Sequence, residues 1–184
     1  MLYHASPVAD IKVLAPHISN HGRPLLYFST KRENTLVYLS NAVERFCRET
    51  GFEHGGPYHK WATYGFDCAG LLVLDEYYPD ATRETYQGVS GYIYFVDRLE
   101  QYEWQKDIPN AVITERETAV CGCEYVPDAY EALRQAASQG KIILRKYADN
   151  SEKMLAWIQR VVQKEYIEAS PEYRTFLKAK FPFL

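Results

Sequence analysis

RPLLYFSTKRENTLVYLSNAVERF, residues 23–46, contains the change of period on which the fold turns. After Arg23, the run Pro24-Leu-Leu-Tyr-Phe-Ser-Thr30 is rich in β-forming side chains. It is entered through a proline, which is tolerated at the first position of a strand, so it reads as a strand. The spacing then switches. Thr30 followed three residues later by Glu33 has the form of a capping box, and Leu36, Val37, Leu39, Val43 and Phe46 make a rough helical stripe. The pattern predicts a helix over 31–47 that starts directly at the end of a strand.

Upstream, LYHAS (2–6) is an apolar, strand-like opening with an imidazole and a hydroxyl at its end, and IKVL (11–14) is a short alternating segment. Downstream, residues 50–60 hold three glycines, a proline and two histidines and read as a loop. KWATYGFD and AGLLVLDEYY follow as two strands around a turn near Cys68–Gly70, PDATRETYQG as a polar connection, and GYIYFVD (91–97) as a strand. NAVITERETAVCGCEYV (110–126) reads as one or two more strands. Pro127 and Asp128 then open a helix closed by Gly140, and KIILRKY is a last strand. In 150–168, Met154, Leu155, Ile158, Val161, Val162 and Tyr166 form one continuous helical face, and Ser170-Pro171 cap a closing helix that ends near Lys180. The irregular order of elements indicates an α+β chain rather than a doubly wound sheet.

The 184 residues suit one domain, and 47% apolar content excludes a disordered chain. A net charge of −3 with no Lys/Arg run leaves no overall footprint for nucleic acid. No stretch approaches the roughly 20 apolar residues of a membrane span, and the N-terminus lacks a signal-peptide pattern, so a cytoplasmic protein without membrane contact is expected. The four cysteines are expected to be reduced: Cys47 and Cys68 stand alone, and Cys121-Gly-Cys123 has no second pair at zinc-ligand spacing. His54 and His59 flank a Gly-Gly-Pro turn without a ligand set around them, and no metal is expected.

P-loop, dinucleotide G-x-G-x-x-G and G-x-S-x-G patterns are absent from the sequence. Three segments carry the remaining chemistry. The first is LYHAS, with His4. The second is the strand ending near Tyr27 that runs into the helix bearing Thr35 and, eleven residues after Tyr27, Tyr38. The third is TERETAV, where Glu115 and Glu117, read as strand residues, would stand on one face about 6–7 Å apart.

This trio resembles the His–Tyr–Glu branch of the ADP-ribosyltransferase superfamily, which includes diphtheria toxin and the poly(ADP-ribose) polymerases. The likeness covers residues 1–46 and 110–126, with His4-Ala5-Ser6 in place of the family's His-Gly-Ser. It implies a mixed or antiparallel split sheet of ADP-ribosyltransferase type, here with additional C-terminal helices. It also implies NAD as substrate. His4 would donate a hydrogen bond to an NAD ribose, and Ser6 would support the adenosine side. Tyr38 would stack on the nicotinamide with Tyr27 facing it, and Thr35 would bond the carboxamide. Glu117 or Glu115 would be the catalytic carboxylate, stabilising the cation left when nicotinamide departs. ADP-ribose would then pass to an unknown protein or nucleic-acid acceptor. In a Glu-x-Glu arrangement Glu115 would orient that acceptor. Gln87 takes the glutamate's place if the 91–97 strand, rather than 110–120, lines the cleft.

The expected organisation is a single domain, 1–184, with an NAD-cleft core over 1–126 and a mainly helical extension with one strand over 127–184. Three rival readings remain. One is a nucleotide- or peptide-binding module on the same scaffold, without turnover. Another is a tRNA 2′-phosphotransferase-like enzyme, disfavoured by the lack of an Arg/His cluster. The third is a structural or interaction protein using an exposed stripe on 150–168. Oligomeric state is open at this level.

Overall fold

Pro24 begins a strand whose Leu26 and Phe28 enter a core with Leu14, Tyr94, Val96 and Val112, and the rest of the architecture builds outward from it. The computed structural model describes residues 1–18, 22–40, 42–51 and 62–184. In chain order its elements begin with β1 (Leu2–Ser6), β2 (Val13–Leu14), β3 (His17–Ile18) and β4 (Pro24–Ser29), then a 3₁₀ segment (Arg32–Tyr38) and α1 (Ala42–Thr50). β5 (Ala62–Phe66), β6 (Leu72–Glu76), α2 (Ala81–Tyr86), β7 (Gly91–Val96), β8 (Glu103–Trp104) and β9 (Ala111–Thr114) follow. The chain closes with β10 (Thr118–Ala119), β11 (Gly122–Val126), α3 (Ala129–Ser138), β12 (Ile142–Arg145), α4 (Glu152–Glu168) and α5 (Pro171–Lys180).

The protein is α+β. Its largest sheet runs β11-β7-β1-β4-β9-β8, antiparallel throughout, with β3 also on β4. A second sheet, β12-β6-β5, joins β6 and β12 in parallel, and β10 pairs with β2. β1 is zipped to β7 over five residue pairs but meets β4 at one, Tyr3↔Ser29. The large sheet therefore opens along the β1–β4 seam.

Several local signals form as the sequence indicates. Asp128 caps α3, accepting from the Tyr130 and Glu131 N–H groups, and Gly140 follows in the left-handed region at φ +70°. Ser151 and Ser170 cap α4 and α5, with Pro171 at the first turn of α5. Asp67 accepts from Ala69 N and Leu71 N and so closes the β5–β6 turn at the expected place. In α4, Ile158 and Val162 are fully buried against α5, Tyr77 and Tyr78, with Met154, Leu155, Val161 and Tyr166 packed around them. Burial of that stripe removes the main support for an interaction protein built on it.

Other expectations are corrected. The helix over 31–47 is two elements with a break between them. Leu36, Val37 and Leu39 enter a core with Ile93, Val126 and Leu133, whereas Phe46 meets Phe176, at 5.3 Å between ring centroids, in a second core. One straight helix cannot present its stripe to both. The capping box does not form either. Thr30 Oγ1 lies toward Asn110, Glu33 pairs with Lys141 at 2.9 Å, and Lys31 occupies the cap position without a side-chain bond.

PDATRETYQG contains α2 rather than an irregular connection. The carboxylate of Glu76 accepts from Thr82 N, and Ala81, Thr85 and Tyr86 are fully buried. TERETAV is not a strand: β9 stops at Thr114 and β10 starts at Thr118, so Glu115 and Glu117 lie in the turn between them. Residues 110–126 form three short strands rather than one or two. His54, His59 and most of the 50–60 loop fall outside the described residues. Among the described residues, no helix is long and apolar enough to cross a membrane, and no group of three metal-ligating side chains occurs.

Candidate functional site: a cleft at the open seam of the sheet

Where the β1–β4 ladder stops, the His4 imidazole fills the gap. Its Nδ1 lies 2.8 Å from the Tyr27 carbonyl oxygen. A carbonyl only accepts, so Nδ1 carries the proton and donates. Burial holds the imidazole below its ordinary pKa; the bond to Tyr27 opposes this and His17 adds to it. The neutral ring therefore has a bare Nε2, which accepts. In this form the Nε2 lone pair is the ring's free polar function, and it can accept but not donate.

The seam opens into a cleft of about 350 Å³. β1 supplies Tyr3, His4 and Ala5, and β4 supplies Tyr27, Phe28 and Ser29. The 3₁₀ segment adds Thr35 and Tyr38, β5 adds Tyr64, and the approach to β9 adds Ile108 and Ala111. Four of the residues singled out in the sequence, His4, Tyr27, Thr35 and Tyr38, thus meet at one place from three elements.

Each polar group in the cleft has a defined capacity. Thr35 is buried and its hydroxyl donates to the Arg32 carbonyl at 2.7 Å, which leaves its lone pairs to accept from an N–H. Ser29 Oγ accepts from Lys31 N at 3.0 Å and keeps its own proton to donate. Tyr38 is 44% exposed, and its ring meets Tyr64 edge-on with centroids 6.0 Å apart and hydroxyls 3.3 Å apart. Loss of water around the hydroxyl end, then Tyr64 and Tyr27, push the Tyr38 phenol above its usual range, so it stays neutral. Arg32 anchors the 3₁₀ segment by a two-pronged pair with Glu124 of β11, with Nε at 2.8 Å from Oε2.

The remaining sequence candidates are elsewhere. Ser6 ends β1, where its hydroxyl accepts from Val8 N at 3.2 Å, and it is not part of the cleft wall. Glu115 pairs with Arg23 at 3.1 Å in an exposed cluster with Glu103. Glu117 is exposed in the same turn. Ala111 marks the cleft end of β9, and Glu115 lies four residues further on, about 13 Å away at strand rise. Gln87 follows α2 on another face, beside Arg45 and Lys180. Among the described residues, the cleft wall contains no carboxylate.

Gly91 is required by packing. A Cβ there would stand 2.5 Å from Leu39 Cδ2 and 3.0 Å from the Ser6 carbonyl oxygen. Sequence reasoning missed Ser29, Tyr3 and Tyr64. Ser29 was readable, because it follows Tyr27 by two residues on the same strand face. Tyr64 had no local signal, since it comes from the second sheet.

Comparison of the chain with models of protein families, with curated proteins and with solved structures gives no match.

Proposed function

We propose that the cleft binds the nicotinamide end of NAD, on a scaffold of ADP-ribosyltransferase type, as a nucleotide-binding site. The observation that carries this reading is the convergence of His4, Tyr27, Thr35 and Tyr38 on one cleft, in the elements where the resemblance expects them. The volume lies within the range of small-molecule sites, about 300–1,000 Å³, and suits a ring with its ribose better than a whole dinucleotide. An aromatic wall with few polar groups fits a flat heterocycle. Thr35 accepts from the carboxamide N–H, Ser29 donates to its oxygen, and His4 Nε2 accepts from a ribose hydroxyl. Ala5 presents its methyl group where the family has hydrogen, which narrows the ring's seat.

Cleavage of the nicotinamide–ribose bond requires negative charge beside the developing cation. Glu115 and Glu117 stand at the far end of β9 and do not provide it from there. Binding without turnover is therefore the form of the proposal, and ADP-ribose transfer to a protein or nucleic-acid acceptor is the activity to be tested against it.

The test is titration of the purified chain with NAD, following heat of binding and nicotinamide release together, with Tyr38→Ala as control. Saturable binding that Tyr38→Ala weakens about tenfold, the scale of a lost aromatic stacking partner, supports the reading. Absence of binding at millimolar NAD refutes it. Release that survives a Glu115→Gln/Glu117→Gln double variant would show turnover through a different carboxylate and overturn the non-catalytic form.

A further inference from the structure

A second hollow, of about 450 Å³, lies beside the first turns of α4, away from the cleft residues. Its walls include Arg145, Ser151, Lys153, Trp157 and Arg160, with Asp149 as the one carboxylate among them. The chain as a whole is acidic, at −3, so three cations around one hollow are a local reversal of sign. Arg145 is engaged, with Nη1 donating to Asp75 at 2.7 Å. Lys153 and Arg160 make no ion pair among the described residues, and both are exposed.

Trp157 stands between them. Lys153, Trp157, Arg160 and Lys164 recur at i, i+4, i+7 and i+11, a single stripe on the solvent side of α4, opposite buried Ile158 and Val162. The Trp157 ring lies perpendicular to Tyr77, with centroids 5.6 Å apart and planes at 88°, yet remains 40% exposed. A core role accounts for the contact with Tyr77. It does not account for an open indole flanked by unpaired cations one turn away on each side.

We infer that this hollow binds a nucleoside phosphate, with its base on Trp157 and its phosphate held by Lys153 and Arg160. Base–aromatic stacking joined to cations that follow a phosphate is the chemistry of sequence-tolerant nucleotide binding. An acidic peptide would use the cations but leave the indole unused, and inorganic phosphate would do the same. Lys153 and Arg160 together outweigh Asp149, and screening over about 8 Å at physiological ionic strength keeps the acidic remainder of the surface from opposing a phosphate held between them. The same chemistry is offered by a free mononucleotide and by one unit of a single-stranded nucleic acid. Lys164, one turn beyond Arg160, is placed to meet a further phosphate of a strand. The inference does not depend on the NAD reading of the cleft.

The test uses the full chain at physiological ionic strength with three probes: AMP, inorganic phosphate and an eight-residue oligoadenylate, each titrated by calorimetry. AMP should saturate and bind more tightly than inorganic phosphate. Trp157→Ala and a Lys153→Gln/Arg160→Gln double variant should each weaken it about tenfold. Trp157→Phe keeps a ring in place and should retain most of the affinity, which guards against a folding defect in Trp157→Ala. Tyr38→Ala, in the cleft, should leave AMP binding intact. An oligoadenylate that binds more tightly than AMP, and is weakened by Lys164→Gln, assigns the site to a strand; equal affinity with no effect of Lys164→Gln assigns it to a free nucleotide. AMP binding that is absent at millimolar concentration, no tighter than inorganic phosphate, unchanged in the double variant, or abolished by Tyr38→Ala overturns the inference.

Discussion

Replacing His4 with alanine tests the seam and its chemistry together. The substitution takes the 2.8 Å donor from the Tyr27 carbonyl and removes a ring that leans on Phe28 at 5.8 Å. A buried polar group deprived of its partner costs about 1–3 kcal/mol. At roughly 2–4 °C per kcal/mol for a chain of this size, His4→Ala should melt about 2–12 °C below the parent near pH 7.5. The pH dependence is more diagnostic. Burial holds the folded imidazole below its ordinary value, so as pH falls through about 6.5 the unfolded chain takes up its proton first. The stability associated with neutral His4 is full above that pH and is lost progressively below it, toward the folded pKa. The gap between parent and His4→Ala should therefore narrow from pH 7.5 to pH 5. Glu33 is raised by burial but lowered further by the bonds from Lys141 and its own backbone N–H together with the charges of Lys141 and Arg32, so its pKa stays low; it loses its contribution only below about 4.5 and stays outside this window. Urea melts followed by circular dichroism at four pH values would measure the gap. A gap that is constant with pH, or absent at pH 7.5, would refute the assignment of a buried, neutral, Nδ1-donating His4.

Three further outcomes are expected. Gly91→Ala forces a methyl group onto Leu39 and the Ser6 carbonyl, so denaturant titration should show a loss of about 1–3 kcal/mol. Glu115→Gln/Glu117→Gln removes only exposed charge and should change stability by less than about 1 kcal/mol; its NAD affinity should match the parent, and a large loss would mean that the turn reaches the cleft. Ile158→Ala opens a cavity in the second core and should cost about 2–5 kcal/mol by the same titration; a cost below 1 kcal/mol would contradict the tight burial of α4.

The parts of the chain readable in advance are those whose cause lies within a few residues. Asp128, Ser151 and Ser170 bond N–H groups two or three positions ahead, and Gly140 supplies a left-handed turn without help from elsewhere. Strands such as LLYFS and YIYFV declare themselves by runs of β-forming side chains, and the periodic face of 150–168 by a repeat of 3.6. The cleft residues His4, Tyr27, Thr35 and Tyr38 were legible too, because β1, β4 and the segment that follows β4 are set by their own local sequence.

What required tertiary structure is what depends on partners distant in sequence. Residues 31–47 break because Leu36–Leu39 and Phe46 belong to different cores. PDATRETYQG becomes helical because buried Glu76 meets the start of α2. Glu115 and Glu117 lose their place in a strand because the β4 partner register of β9 ends at Leu26↔Thr114. Tyr64 reaches the cleft only through the packing of the second sheet. The hollow beside α4 likewise needs β12 to bring Arg145 to the helix. Local sequence sets which residues can form an element, and burial shared between elements sets where each one stops and what it faces.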